Sequence, residues 1–140
     1  MAASLALCLW ITPVDAMDEH PAKAPYLVQI NAHTPEELQG ILNRAQNWAD
    51  QFEAYPDEPI AIVLHGPEAN VFVKQNYTMY KSLVDLAAKL DAFNVVDVRI
   101  CERWMGSNNI EKGQLPPFVE TVPYGPAEEQ RLIKAGYQEF

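Results

Sequence analysis

The run Ile60-Ala61-Ile62-Val63-Leu64 is apolar at every position, so a strand built from it must be covered on both faces. A parallel sheet with helices above and below meets that condition, and the flanking pattern agrees. Upstream, Tyr26-Leu27-Val28-Gln29-Ile30 reads as a first strand; downstream, the β-branched segment from Val95 to Ile100 reads as a third. Between the first two, Leu38, Ile41, Leu42, Ala45, Trp48, Ala49 and Phe52 recur at spacings of three and four, which predicts a helix with one buried face. Glu36, Asn43, Arg44 and Asp50 fall on its water-facing side. Thr34 is its N-cap, Pro35 suits the first helical position, and Glu37 completes a capping box. The Tyr55-Pro56-Asp57-Glu58-Pro59 stretch ends it.

After His65-Gly66-Pro67 the chain turns irregular, and Tyr80, Leu83, Val84, Ala87 and Leu90 then mark a second amphipathic helix leading into the third strand. The strand-helix-strand unit thus occurs twice, as a right-handed parallel sheet requires. Glu102-Arg103-Trp104-Met105 starts a helix directly after the third strand. Phe118 to Val122 supplies a fourth strand. Pro126-Ala127-Glu128-Glu129 opens a last short helix, which Gly136 stops, and Tyr137 to Phe140 adds a short edge strand.

Length and charge narrow the picture. The 140 residues, 49% of them hydrophobic, make one packed domain, expected over residues 26–140. The formal charge of −9 repels a phosphate backbone, so nucleic acid is not expected as a partner. No run reaches the roughly 20 apolar residues of a membrane span. Met1 to Ile11 is apolar, Thr12-Pro13 closes it, and Val14-Asp15-Ala16 has side chains suited to a signal peptidase. Residues 1–16 therefore read as a signal peptide, and 17–25 as a flexible leader. The expected location is periplasmic or exported, with cytoplasmic as the alternative. No lipid anchor is expected, since Leu7 is too large to precede a lipidated cysteine.

In an open α/β sheet, ligands gather beyond the carboxyl ends of the strands. Asn31 and His33 follow the first strand, His65 the second and Cys101 the third. If the second and third strands are neighbours, about 4.8 Å apart, His65 and Cys101 come within a side-chain length of each other. With Cys8 in the removable segment, Cys101 is the sole cysteine of the mature chain and has no disulfide partner within it. It is either a buried small hydrophobe or a reactive thiol, activated by the N–H groups of the helix after it and by Arg103 or a nearby histidine. Glu102 opposes that activation. Phosphate-loop and Rossmann glycine patterns are absent, as are a serine-hydrolase elbow and any short-spaced ligand pair for zinc, so neither cofactor nor metal is expected. Trp104, Met105, Phe118 and Tyr124 form an apolar group around the cysteine loop, as core or as a subunit interface. A homo-oligomer with the cysteine near that interface is expected.

The ordered set Ile62-Val63-Leu64-His65-Gly66-Pro67, Val98-Arg99-Ile100-Cys101, the Gly106–Ile110 loop, Leu115-Pro116-Pro117-Phe118-Val119, Val122-Pro123-Tyr124-Gly125 and Ala135-Gly136-Tyr137 resembles the DsrE/DsrF-like family of small sulfur-relay proteins. The resemblance extends from about Tyr26 to Phe140. It implies a three-layer α/β/α sandwich around a mainly parallel sheet of about five strands, in an oligomer. It also implies a sulfur carrier or sulfurtransferase holding sulfane sulfur as a persulfide on Cys101. His65, after the neighbouring strand, is the candidate proton acceptor or orienting group for that thiol. The implied partners are sulfur donor and acceptor proteins or small sulfur compounds. The alternative is a non-catalytic oligomeric module that binds a small ligand or a protein.

Overall fold

The computed structural model describes residues 25–54 and 56–140; the expected signal peptide and nearly all of the leader lie outside them. Five strands form one parallel sheet in the order β4-β3-β2-β1-β5. These are β1 (Tyr26–Val28), β2 (Ile60–Leu64), β3 (Val96–Cys101), β4 (Glu120–Val122) and β5 (Gln138–Glu139). Strand β2 lies at the centre and is buried at every position, as its unbroken apolar run requires.

The helices are α1 (Pro35–Ala49), α2 (Tyr77–Ala92), α3 (Glu102–Ser107) and α4 (Gly125–Lys134). Alternation along the strands sorts the core in two. Ile60, Ile62, Leu64, Val98 and Ile100 pack with Leu38 and Leu42 of α1 and with Leu83 and Val84 of α2. Leu27, Ala61, Val63 and Val122 face the other way, toward Leu132 of α4. The result is the expected three-layer α/β/α sandwich, with the second face covered by the short α4. Burying each of these large aliphatic side chains contributes about 1.5–3 kcal/mol. Among the described residues no helix is long and apolar enough to cross a membrane.

Several expected boundaries shift, each for a local reason. Strand β1 stops at Val28 rather than Ile30, because the backbone N–H groups just beyond are taken by Glu37. Strand β4 begins at Glu120 rather than Phe118, since the Val119 N–H closes a turn on the Pro116 carbonyl. The stretch after Pro67 is not irregular: Pro67–Phe72 and Lys74–Asn76 are 3₁₀ turns, and α2 starts at Tyr77 with a kink at Tyr80. Gly136, at φ +98°, ends α4 as expected, with its own N–H on Ile133 and that of Tyr137 on Leu132.

Candidate functional site

The carboxyl edge of the sheet is built from the loops that leave β1, β2 and β3. The first loop is organised by Glu37 in the first turn of α1. Thr34 caps the helix by accepting the Glu37 N–H at 3.1 Å, as expected. The Glu37 carboxylate does not return to Thr34 to complete a capping box. It reaches further back and accepts the N–H groups of Asn31, Ala32 and His33 at 2.8, 2.8 and 2.9 Å. This fixes His33 in the left-handed region, at φ +53°, which few residues other than glycine adopt without cost.

The second loop supplies an acid. Glu68, in the 3₁₀ turn after β2, is completely buried. A buried carboxylate needs donors on every side, and Glu68 has them. Its Oε1 accepts the N–H groups of His65 and Gly66, both at 3.1 Å, and its Oε2 lies 3.0 Å from His33 Nδ1. In the neutral ring that contact calls for the proton on Nδ1 of His33 and leaves Nε2 as the acceptor nitrogen. The His33 side chain keeps 30% of its surface exposed, so the imidazole is anchored without being submerged.

His65 sits beside it, the two ring centroids 5.1 Å apart and the planes at 61°. His65 Nε2 approaches Glu129 Oε1 of α4 at 3.3 Å. Its ring is also wedged against the start of α4, where a Cβ on Gly125 would lie 2.9 Å from that of His65. Helix α4 is held over the sheet by Arg99 of β3, which donates to Asp97 and, at 2.6 Å, to Glu128. Arg131 bonds the same carboxylate, and chiefly through that bond the Glu128 carboxyl is held below the usual glutamate range.

Cys101 closes β3. Strands β2 and β3 are neighbours, with Leu64 paired to Ile100, so His65 and Cys101 are the next residues out on adjacent strands. By alternation both belong to the face covered by α4. Cys101 pairs in register with Val122 and is only 2% exposed. It stands at the N-cap of α3 without a side-chain cap bond, and a helix of six residues gives it a weak dipole. Glu102 is engaged by the Thr121 hydroxyl at 2.9 Å, and the Arg103 guanidinium stacks 4.3 Å above the Tyr124 ring. The apolar group expected around this loop divides. Met105 is buried, Trp104 and Phe118 pack on the main core, and Tyr124 stays 41% exposed. Among the described residues no group of three or more His, Cys, Asp or Glu side chains is arranged to hold a metal ion.

No family model and no curated protein matches the chain. Among solved structures it is similar to the protein of unknown function MTH1491 from Methanobacterium thermoautotrophicum, with a TM-score of 0.67 at 14% identity. The match covers 84% of this chain and 98% of that one. At that identity the likeness shows a shared fold.

Sequence reasoning found His33, His65 and Cys101 at the strand exits but missed Glu68 and Glu129. Glu68 did carry a signal: it stands directly before a mostly apolar stretch that includes Ala69, Val71, Phe72 and Val73, and a carboxylate buried in such company must be bonded. Glu129 carried none, since only the tertiary fold brings α4 to His65.

Proposed function

We propose that the protein is a sulfur carrier or sulfurtransferase that holds sulfane sulfur as a persulfide on Cys101. The observation that supports this most is the register of β2 and β3, by which Cys101 and His65 leave adjacent strands at the same level and on the same face. A persulfide there stands at the edge where open α/β sheets gather their ligands. His65 then acts as proton acceptor or orienting group. Cys101 is 2% exposed, so its Sγ reacts when the structure around it opens, and the Arg103–Tyr124 stack, which joins α3 to the N-cap of α4, is the candidate contact to break. The same reading keeps the chain a homo-oligomer, periplasmic or exported, that exchanges sulfur with donor and acceptor proteins or small sulfur compounds.

Alkylation of the folded protein at neutral pH tests it. Cys101 should label slowly in the native state, far below the unfolded rate yet on the timescale of an assay. A thiol that reacts only after denaturation would exclude carriage.

A second reading, a non-catalytic oligomeric module that binds a small ligand or a protein, is favoured by the 2% exposure of Cys101 and by an apolar groove of about 290 Å³ between Phe72, Val84 and Phe118. Under it, Cys101→Ala leaves the biological phenotype intact and Ala88→Glu, in the groove wall, abolishes it.

A further inference from the structure

His33 is held by more structure than a loop histidine needs. Its backbone is in the left-handed region, fixed by three N–H groups on Glu37. Its ring is fixed by a carboxylate with no exposed surface. The approach of the two is close enough that a Cβ on Gly66 would lie 2.7 Å from both Glu68 Oε2 and His33 Nδ1. A strained residue, a buried charge and an obligatory glycine all converge on one imidazole that still reaches solvent. Strain of this kind is retained where the surrounding structure over-determines it, and it clusters at functional sites. Among the described residues no hydrogen bond or ion pair engages His33 Nε2. His65, by contrast, has Nε2 against Glu129 and its ring wedged at Gly125.

We propose that His33 is the proton acceptor for the thiol that takes sulfur from the protein, and that Glu68 is its positioning residue. This rests on the persulfide reading of Cys101 and adds the class of acceptor, a thiol of ordinary acidity. The acceptor R–SH gives its proton to His33 Nε2, and its sulfur attacks the outer sulfur of Cys101–S–SH. The new S–S bond forms as the bond between the two persulfide sulfurs breaks. The products are R–S–SH and the Cys101 thiolate, which regains a proton from the His33 imidazolium. Sulfur, protons and electrons balance with no further reductant. Glu68 faces the positive charge that the ring acquires. The exits of β1 and β3 flank that of β2 and are about 10 Å apart at ordinary strand spacing, and the His65 ring, 5.1 Å from that of His33, lies at the exit between them.

The titratable groups around the ring are Glu68, the His65 imidazole, Glu129 behind His65, and Glu37 beneath the loop. Two variants isolate the role. His33→Asn tolerates positive φ and keeps an amide N–H for Glu68 while deleting Nε2. Glu68→Gln turns an amide N–H toward His33 Nδ1, which moves the ring proton to Nε2 and blocks the base.

The experiment loads Cys101 with a sulfane-sulfur donor, confirms loading by mass, and times single-turnover transfer to a short cysteine-containing peptide across pH. At pH 7 both variants should lose up to about 30-fold in rate, the ratio of thiol to thiolate for a thiol of pKa near 8.5. The loss should vanish above that pH, where the acceptor ionises without help, and ¹⁵N shifts should show the tautomer exchanged in Glu68→Gln. Equal rates in the wild type and His33→Asn at pH 7, or a loss that persists at high pH, would overturn the proposal and leave carriage on Cys101 standing. Failure of the wild type to load would overturn both.

Discussion

His33 Nδ1 lies 3.0 Å from Glu68 Oε2, and Gly66 fits beside the pair only because it has no side chain. The Gly66 backbone is extended, at φ −139° and ψ −167°, which any residue adopts, so its constraint is purely one of space. Gly66→Ala should therefore cost about 1–3 kcal/mol through overpacking and displace the His33 ring. Gly40→Ala is the control. Nothing lies within 4 Å of its added Cβ in the middle of α1, and it should stabilise by about 0.5–1 kcal/mol. Urea denaturation of the two variants reads both signs.

Removing the buried carboxylate should be worse than crowding it. Glu68→Ala leaves the N–H groups of His65 and Gly66 without their acceptor and frees the His33 ring. A loss of about 3 kcal/mol is expected in chemical denaturation. The His33 ring resonances should broaden as the ring loses its anchor.

The anchorage of α4 gives a pH dependence with a definite sign. The Glu128 carboxyl is lowered in the folded protein, first by its bond to Arg131 and further by Arg99, against an opposing contribution from burial. Its stabilisation is therefore complete above the ordinary glutamate pKa and is lost as pH falls through the lower folded value. The stability gap between wild type and Glu128→Gln should be about 1.5–3 kcal/mol at pH 7 and should close in the acid range. A gap that widened toward acid would reverse the assignment.

Much of this fold was legible because its determinants are local. The unbroken apolar run of β2 demanded cover on both faces, and the Thr34-Pro35 start and the Gly136 stop were read from single residues whose backbone roles allow few substitutes. The site was legible only in outline. Strand order put the exits of His65 and Cys101 on neighbouring strands, yet Glu37 left its capping role for three loop N–H groups, and the partners of both histidines come from elsewhere. Glu68 lies 35 positions after His33, and no periodicity reports that pairing. Tyr124 departed from the apolar group because Arg103 offered its ring a cation at the surface.

Access to Cys101 should depend on that same contact. An exposed cation–π pair contributes about 0.5–1 kcal/mol, so Tyr124→Ala should speed alkylation of native Cys101 by about 2–5-fold while leaving the Arg103 charge in place. An unchanged rate would place the opening elsewhere.

Carriage of sulfur on Cys101 is tested most directly by the intact mass of the reduced protein after exposure to a sulfane-sulfur donor, run beside Cys101→Ser. The persulfide reading predicts a gain of whole sulfur atoms in the wild type alone, reversed by dithiothreitol. No gain in a protein whose thiol is shown to label in the native state, or an equal gain in Cys101→Ser, would contradict it.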